Sequence, residues 1–250
     1  MPADENPFDV LLDSLPLQNL SRGRQGNVLV RTDESGDVPI VRTTTPYSLP
    51  AQRFRAVHER LAEQIGRRAG VTVPFNNALI ERYTRAYASM KSHSDQAMDL
   101  AEGSCIAVFS CYRSPQDPSR HLIVEPKEAG RAFSEIPLAH CSVILFSLET
   151  NRRFRHKIVL RAGAPESEWL GITLRTSKTF VRFCDDGPCL RDGTPLTLAD
   201  DEQRHAFLKL RRRENDEVDF AYPPLSYTLS ESDRMQPLPL EQSRLLRTVT

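Results

Sequence analysis

Residues 154–160 read Phe154-Arg155-His156-Lys157-Ile158-Val159-Leu160 and predict a β-strand. Successive side chains of a strand point to opposite faces, so the alternation separates an apolar face carrying His156 and Ile158 from a basic face carrying Arg155 and Lys157. The apolar face of a strand normally turns towards the core. We therefore expect the imidazole of His156 to point into a barrel.

Short runs of branched and aromatic residues lie on both sides of this strand. They are residues 75–83, 105–112, 121–124, 143–148 and 170–176. Turn residues such as Ser114-Pro115 separate them. Many short strands with few helices between them favour an antiparallel barrel or jelly roll over a sheet of alternating strands and helices.

Helices are expected at the flanks of these strands. Apolar residues recur at three- and four-residue steps from Gln52 to Ile65, which predicts an amphipathic helix. Thr197–Asp200 resembles a capping box that opens a second helix running through Leu210, and Asp192-Gly193 indicates a hairpin. We expect an N-terminal arm over residues 1–40 with one short helix. A main domain then covers residues 41–180, and a C-terminal hairpin, helix and tail (181–250) packs on that domain.

Composition excludes several classes of protein. The chain has 250 residues, with 33 Lys plus Arg against 33 Asp plus Glu, so no global field attracts nucleic acid or an anionic membrane. No apolar run is long enough to cross a bilayer, and the first residues resemble no export signal. The 5 cysteines fit no zinc spacing and are expected to be free thiols. These features predict a cytoplasmic protein with no membrane association and no evident obligate protein partner.

The residues with the clearest chemistry are His93 and Asp95, followed about sixty positions later by His156. Two imidazoles and one carboxylate on one face of an octahedron are the ligand set of non-haem Fe(II) oxygenases, which leave the other positions open for a co-substrate and O2. A His-x-Asp pair alone is common by chance. Its significance depends on what surrounds it.

A second cluster follows from the strand at 170–176. Alternation places Trp169, Gly171, Thr173 and Arg175 on one face, so a permanently charged guanidinium lies among inward positions. An inward arginine needs an anion. A dicarboxylate such as 2-oxoglutarate meets that need, and Ser177 on the same face is a candidate donor to the same carboxylate. The alternative is that Arg175 is half of a structural ion pair.

Taken together, these segments resemble the AlkB-like Fe(II)/2-oxoglutarate-dependent dioxygenases. The resemblance runs from about Phe75 to Lys178, more than a third of the chain, with order and spacing kept. It is carried by Phe75-Asn76, Ile80-Glu81-Arg82-Tyr83, His93-Ser94-Asp95, Leu100-Ala101-Glu102-Gly103-Ser104, Pro137-Leu138-Ala139-His140-Cys141-Ser142, His156 and Leu170-Gly171-Ile172-Thr173-Leu174-Arg175.

The resemblance implies a mostly β fold with flanking helices, the double-stranded β-helix (jelly roll, cupin-like). It also implies a role for each matching residue. His93, Asp95 and His156 would be the catalytic Fe(II) ligands, Arg175 would anchor a carboxylate of the cosubstrate 2-oxoglutarate, and Tyr83 would donate a hydrogen bond to it. O2 is the other cosubstrate.

Two positions depart from the family pattern. Glu81 stands where the family usually has asparagine, and Trp169 where it usually has a second cosubstrate-binding arginine. A carboxylate beside a dicarboxylate is repulsive unless a cation intervenes. We therefore expect either a different pose of 2-oxoglutarate or a pairing of Glu81 with Arg175 or Arg161.

These observations give a leading hypothesis and two alternatives. The leading hypothesis is a dioxygenase that hydroxylates a C–H bond, by hydroxylation or oxidative N-demethylation, of a nucleobase- or nucleotide-like substrate. That substrate would be a nucleotide-like small molecule or alkylated nucleic acid. The alternatives are a small-metabolite hydroxylase of a biosynthetic pathway and a non-catalytic binding module in which Glu81 and Trp169 have spoiled the cosubstrate site.

Other polar and aromatic residues have ordinary interpretations. His58, His121 and His205 are expected to be solvated, and His140 is expected to have a structural role. Arg211-Arg212-Arg213 ends a helix, where cations need no partner. The basic residues 152–157 form either a phosphate-binding edge or a charged edge that discourages sheet pairing. Tyr47, Tyr87 and Trp169 are candidates for stacking on a planar base, although each fits the core as well.

Overall fold

A computed structural model describes residues 6–115, 119–128, 132–163 and 168–238. Within these ranges the helices are α1 (Pro7–Leu12), α2 (Ala56–Ala69), α3 (Leu148–Arg153) and α4 (Asp201–Asp216), with a 3₁₀ turn at Glu231–Arg234. The strands are β1 (Gln18–Ser21), β2 (Arg24–Val30), β3 (Val38–Ile40), β4 (Gln52–Arg53), β5 (Asn77–Tyr83), β6 (Cys105–Tyr112), β7 (Arg120–Pro126), β8 (Ser134–Pro137), β9 (Ser142–Ser147), β10 (Phe154–Leu160), β11 (Trp169–Arg175), β12 (Thr179–Cys184), β13 (Gly187–Leu190), β14 (Thr197–Leu198) and β15 (Tyr227–Thr228).

The larger sheet has the strand order β1-β2-β5-β11-β6-β9, with β4 added in parallel to β2. All other pairings in it are antiparallel. β11 lies at its centre, with Trp169 opposite Tyr83 of β5 on one side and Tyr112 of β6 on the other. Strand alternation divides β11 as predicted. Leu170 and Leu174 pack into a core against the helices, whereas Trp169 and Arg175 line a cavity on the other face.

The second sheet, β10-β7-β8, covers that cavity. His156 lies opposite Val124 in its antiparallel register. Side chains of both sheets meet in one buried cluster, made of Tyr83, Tyr112, Leu122, Leu138, Ile158 and Trp169. Two facing antiparallel sheets with a shared interior form the jelly roll that the sequence predicts.

The predicted strands agree with the structure to within two residues at either end. The first long helix begins at Ala56 rather than Gln52, because Gln52 and Arg53 form β4 beside Leu29 and Val30. A capping box does open α4, but it lies three residues beyond the predicted Thr197–Asp200, and Thr197 belongs to β14. Asp200 accepts from the backbone N–H of Gln203, and Gln203 accepts in return from the backbone N–H of Asp200.

The expectation of an N-terminal arm is wrong. Residues 18–30 form β1 and β2, and β2 pairs with β5 over its whole length. Glycine and asparagine conceal the strand in the sequence. Asn27 is nevertheless buried, and its side chain donates to the carbonyl oxygen of Pro16 at 3.0 Å. Glycine suits position 26 because a Cβ there would lie 2.9 Å from the carbonyl oxygen of Ile80.

The C-terminal segment packs on the same body. β13 and β3 flank β12, and Gly193 donates to the carbonyl oxygen of Leu190 in the turn expected near that position. The structure describes the tail as far as residue 238. For residues 239–250 the expectation that the tail packs on the main domain lies outside the described residues. All 5 cysteines are free. No helix in the described part of the chain is long and apolar enough to cross a membrane.

Candidate metal centre

His93, Asp95 and His156 meet at one point, with one donor atom from each lying within 4.8 Å of the others. Backbone pairing brings the two imidazoles together. The N–H of His156 donates to the carbonyl oxygen of His93 at 2.7 Å, and the reverse bond measures 2.9 Å. Oδ1 of Asp95 lies 3.5 Å from Nε2 of His156 and 4.0 Å from Nε2 of His93. The structure therefore assembles the three residues that the sequence predicted as ligands.

The protonation of the cluster suits a metal ion. Nδ1 of His93 lies 2.9 Å from the carbonyl oxygen of Lys91, which assigns the proton to Nδ1 and leaves the Nε2 lone pair free. Burial lowers the pKa of His93 and lowers that of His156 to about 4, so both rings are neutral at pH 7. Burial alone would raise the pKa of Asp95, but His156 and Arg175 lower it overall. Two neutral imidazoles and one carboxylate are the ligand forms that Fe(II) requires.

A buried carboxylate oxygen of Asp95 without a hydrogen-bond donor also indicates a metal site. Oδ2 of Asp95 is buried and accepts no hydrogen bond from any described residue. Nη1 of Arg175 lies 3.8 Å away, which is beyond hydrogen-bond distance. A buried carboxylate oxygen without a donor is costly unless a cation is bound nearby. The cluster therefore fits Fe(II).

Asn151 holds the backbone of the carboxylate ligand. Its side-chain nitrogen donates to the carbonyl oxygen of Asp95 at 2.7 Å, and its side-chain oxygen accepts from the N–H of Asp95 at 2.8 Å. Asn151 is buried on α3, the short helix that leads directly into β10. A single helical turn thus fixes both Asp95 and the strand that carries His156. No local pattern in the sequence marks Asn151 for this role.

Helix α4 supports the ligand loop from the other side. Nη2 of Arg211 donates to the carbonyl oxygen of Ser94 at 2.8 Å, and Oδ1 of Asn215 accepts from the N–H of Ser94 at 2.9 Å. Oε1 of Glu214 accepts from the N–H of Ala97 at 2.8 Å. Arg211 was expected to be an unpartnered helix-end cation. It is instead buried, paired with Glu214, and part of the cavity wall. The sequence does contain a signal for the burial of Arg211, because Phe207, Arg211 and Glu214 recur at helical spacing and form the buried face of α4.

The metal cluster opens into a cavity of about 390 Å³ between the two sheets. Arg175 lines this cavity and is 2% exposed, with Nη2 donating to Oδ1 of Asn77 at 3.4 Å and Nε without a partner among the described residues. Its guanidinium retains free donors next to the metal ligands. This placement agrees with a role as carboxylate anchor.

Ser177 is placed differently from the expectation. Its hydroxyl donates to the carbonyl oxygen of Ile40 and accepts from the N–H of Thr179 at 3.0 Å. It lies two residues beyond the end of β11 and is absent from the described lining of the cavity. β11 ends at Arg175, so the alternation of its side chains does not extend to Ser177. We therefore remove it from the candidate site.

Glu81 is neutralised by a residue that the sequence analysis did not consider. Oε1 of Glu81 accepts from Nε and Nη2 of Arg24 at 2.9 and 2.5 Å, so the expected pairing with Arg175 or Arg161 is wrong. Tyr83 donates its hydroxyl to Oε2 of Glu81 at 2.6 Å. Tyr47 contacts Oε1 at 3.3 Å and is buried, which removes it from the candidates for base stacking. The hydroxyl expected to meet 2-oxoglutarate is thus already engaged with Glu81.

Trp169 and Gly171 fit one another on the cavity face of β11. A Cβ at Gly171 would lie 2.0 Å from the Trp169 ring, so the indole folds over the glycine. The ring centre of Trp169 lies 4.8 Å from that of Tyr83, which in turn lies 4.7 Å from that of Tyr87. These three rings form an aromatic wall of the cavity.

The remaining histidines divide between structural and surface roles. His58 is buried, with Nε2 at 2.9 Å from Oγ of Ser14, so the expectation that it is solvated is wrong. Nδ1 of His140 accepts from the N–H of Tyr112, which is the structural role expected. His121 is mostly covered and pairs with Glu135. His205 is exposed, as predicted.

The basic edge of β10 is not free for phosphate. Arg153 pairs with Glu149 at 2.6 Å, Arg155 with Asp216 at 3.3 Å, and Lys157 with Glu125 at 2.7 Å. Three of the four basic residues in this run, Arg153, Arg155 and Lys157, therefore have a carboxylate of the same chain within contact distance. This arrangement favours the interpretation as a charged edge.

Comparison with known proteins gives partial matches. No protein-family profile matches the chain. The DNA oxidative demethylase ALKBH2 of Homo sapiens is 30% identical to it over 128 residues, which cover 50% of this chain and 48% of that protein. ALKBH2 of Bos taurus is 28% identical over 128 residues, covering 50% and 45%. These matches support an AlkB-like Fe(II)/2-oxoglutarate oxygenase.

One solved structure is also similar to this AlkB-like chain. It is an oxidoreductase of the 2OG-Fe(II) oxygenase family from Burkholderia pseudomallei, with a TM-score of 0.42, 14% identity, and coverage of 68% of this chain and 80% of that one. At that level of similarity the fold assignment depends on the strand order and registers given above.

The AlkB-like chain spans about half the length of the curated relatives it matches. The family implies Fe(II), 2-oxoglutarate and O2 as cofactor and cosubstrates, and the His93, Asp95 and His156 cluster fits the metal. The substrate of the relatives does not transfer to this chain on similarity alone.

Proposed function

We propose that this protein is an Fe(II)/2-oxoglutarate-dependent dioxygenase that hydroxylates a C–H bond of a nucleobase- or nucleotide-like substrate. The observation that carries the proposal is the cluster of His93, Asp95 and His156 opening into a cavity that also holds the guanidinium of Arg175. Metal ligands and an anion-binding cation that line one cavity are what a keto-acid-dependent oxygenase needs. We expect it to act in the cytoplasm, where its thiols would remain reduced.

Each residue has a distinct task in this scheme. His93, Asp95 and His156 would hold Fe(II), which supplies the redox chemistry for activating O2 with the keto acid. Arg175 would bind a carboxylate beside the metal through a charge-assisted pair. Asn151 and α4 would keep Asp95 in its coordinating position. Strands β5, β7, β10 and β11 would provide the walls against which the substrate is oriented.

The aromatic wall supports a planar substrate. Tyr87 lines the cavity and is half-buried, and aromatic rings at such positions can stack on a base. The curated relatives are named as DNA demethylases, which favours a nucleobase. The equal counts of basic and acidic residues and the paired cations on β10 favour a nucleotide-like small molecule over a long polymer.

The proposal is tested by cosubstrate chemistry before substrate chemistry. Anaerobic addition of Fe(II) and 2-oxoglutarate should give the weak visible charge-transfer band of a bidentate keto acid, and admission of air should yield succinate. Succinate formation should then rise when alkylated bases, nucleotides and small metabolites are screened. If the protein binds Fe(II) but gives neither the band nor succinate, the dioxygenase assignment is wrong.

Two alternatives have specific support. A small-metabolite hydroxylase is favoured by the modest cavity volume of about 390 Å³, and stimulation by a metabolite but by no nucleotide would identify it. A binding module is favoured by Glu81 and Trp169, which occupy positions where the family binds its cosubstrate. Tight binding of a nucleotide together with no succinate formation would identify the binding module.

A further inference from the structure

Cys184 and Cys189 hold their sulfur atoms in contact near the tip of the hairpin formed by β12 and β13. The two Sγ atoms lie 3.7 Å apart, with no covalent bond between them. The residues belong to different strands, Cys184 ending β12 and Cys189 lying in β13. Of the other cysteines, Cys105 and Cys111 lie on β6 and Cys141 precedes β9. The hairpin therefore carries a pair of thiols that the metal cluster does not use.

The register of the hairpin accounts for this contact. Arg182 lies opposite Cys189, and Cys184 lies opposite Gly187 across the turn. Because side chains alternate along a strand, Cys184 points to the same side as Arg182 and therefore to the same side as Cys189. Gly187 has a φ of 110°, which a residue with a side chain rarely adopts, so glycine suits the turn that sets this register. The two sulfur atoms are thus diagonal neighbours on one face of the hairpin.

The surroundings of the two thiols suit thiol–disulfide exchange. Cys184 is exposed and Cys189 is half-buried. Partial burial, followed by the contact with Cys184, raises the pKa of Cys189, so its S–H is retained near neutral pH and can donate to the sulfur of Cys184. The guanidinium of Arg182 lies on the same face and attracts negative charge on either sulfur. Cys184 is therefore the sulfur that an external reagent meets first, and Cys189 is placed to react second.

A metal ion is the other ligand that two thiols can take. Zn–S bonds of about 2.3 Å at a tetrahedral angle separate two sulfurs by roughly 3.8 Å, so the distance alone would fit. Structural zinc sites use four protein ligands, however. In the described part of the chain the only three donors that converge within ligating distance are those of His93, Asp95 and His156. Two thiols without a third ligand favour a disulfide instead.

We propose that Cys184 and Cys189 form a redox-active pair that is oxidised to an intramolecular disulfide by exchange with a low-molecular-weight disulfide. The thiolate of Cys184 attacks one sulfur of this reagent, forms a mixed disulfide and releases one thiol. Cys189 then loses its proton and attacks Sγ of Cys184, which releases the second thiol. Two cysteine thiols are oxidised, the reagent is reduced to two thiols, and the two protons pass to those thiols. The sulfur atoms must approach from 3.7 Å to about 2.05 Å.

This site is separate from the metal cluster, and the inference does not depend on the proposed function. Neither cysteine belongs to the described lining of the metal cavity. In a reducing compartment the pair remains as thiols, and the bond forms when small disulfides accumulate. The cross-link would lie beside the ion pair of Arg182 with Asp37, which joins β12 to the start of β3. The hairpin would then respond to oxidising conditions whether or not iron is bound.

The test equilibrates the full chain in mixtures of reduced and oxidised glutathione, stops the exchange with acid, alkylates the remaining thiols in denaturant and maps them by mass spectrometry. As the oxidised fraction increases, wild type should lose the thiols of Cys184 and Cys189 together, with the mass of two hydrogen atoms, and the bond should map between these residues. Dithiothreitol should restore both thiols. Cys141→Ser is the matched control, because it removes an exposed cysteine outside the hairpin, and it should form the same bond.

Single substitutions test the order of attack. Cys189→Ser should stop at the mixed disulfide and retain glutathione on Cys184, whereas Cys184→Ser should retain much less glutathione on Cys189. Equal glutathione on the two variants overturns the assignment of Cys184 as the attacking sulfur. The pairing itself is overturned by wild type in which both hairpin thiols are alkylated at every glutathione ratio. It is also overturned if Cys184 of wild type remains bonded to glutathione or forms its bond with a second chain.

Discussion

The side-chain amide of Asn151 forms two hydrogen bonds to the backbone of Asp95, one as donor at 2.7 Å and one as acceptor at 2.8 Å. Because both bonds are made to one residue, the ligand can neither slide along the loop nor rotate its peptide planes without breaking one of them. The following residues of α3 lead into β10 and to His156. Asn151 thus links the positions of two metal ligands through one short helix.

Asn151→Ala should weaken metal binding. Loss of a residue that orients a metal ligand typically reduces metal affinity by about 10- to 100-fold. We expect this reduction for Fe(II), and for Co(II) used as a spectroscopic substitute, measured by competition with a chelator. Glu149→Gln on the exposed side of the same helix is the control and should bind metal as wild type does. Equal affinities in the two variants would show that Asn151 does not position Asp95.

The pair of Arg211 and Glu214 on α4 should stabilise the fold only when both charges are present. Arg211→Met leaves the buried carboxylate of Glu214 unpaired, which should lower the free energy of unfolding by about 3 kcal/mol. Arg211→Met combined with Glu214→Gln should recover part of that loss because no lone charge remains. Urea unfolding measures both effects. The exposed neighbour Arg212→Met should change little, and additive losses in the double variant would argue against the coupling.

Two glycine-to-alanine substitutions should change the stability of the fold in opposite directions. Gly171→Ala places a Cβ 2.0 Å from the Trp169 ring, and such overpacking typically costs about 1 to 3 kcal/mol of stability. Gly66→Ala lies inside α2 with no heavy atom within 4 Å of its Cβ, and alanine in a helix gains roughly 0.5 to 1 kcal/mol over glycine. Thermal unfolding should separate them. A shift in Trp169 fluorescence is expected in Gly171→Ala alone.

His58 should make the protein less stable in acid. Burial, followed by the charge of Arg55, lowers its pKa to about 4, whereas an unfolded histidine titrates near 6.5. Between these values the unfolded chain binds the proton and the folded chain does not. The contribution of the neutral ring is therefore present above pH 6.5 and lost as the pH falls towards 4, by about 2 kcal/mol at pH 5.

Denaturant unfolding at pH 7.5 and pH 5 in wild type and His58→Gln measures this contribution. The difference in stability between the two pH values should be smaller in the variant. Other groups titrate in this window, such as Asp233, whose pKa is raised to about 7 by burial. They are common to both proteins and cancel in the comparison. The exposed His205→Gln should behave as wild type, and an identical pH dependence in His58→Gln would contradict the assignment.

The sequence predicts the strands and the metal ligands because both leave local signals. Strict alternation in β10 places His156 inward, and the same period in β11 places Arg175 in the cavity. Pairings between distant residues leave no such signal. Arg24 and Glu81 are 57 positions apart, and nothing in the period of either strand indicates that they are partners.

Helix α4 shows a second feature that the sequence does not predict, the burial of polar side chains. Its charged sequence suggested a solvated end, yet Arg211 is buried because the carbonyl oxygen of Ser94 and the carboxylate of Glu214 satisfy it. His58 was misjudged for the same reason, since Ser14 in the turn after α1 completes its hydrogen bonds. Burial of a polar group depends on partners supplied by the fold, and composition around the residue does not reveal them.

The support that α4 gives to the ligand loop also bears on the order of events during biosynthesis. Ser94 and Ala97 receive their partners from residues 211–215, which emerge from the ribosome more than a hundred residues later. A nascent chain can therefore carry all three donors of the metal cluster before the loop is held in place. We expect stable iron loading to occur only near the end of translation, and a chain released before α4 to lose its iron readily to a chelator.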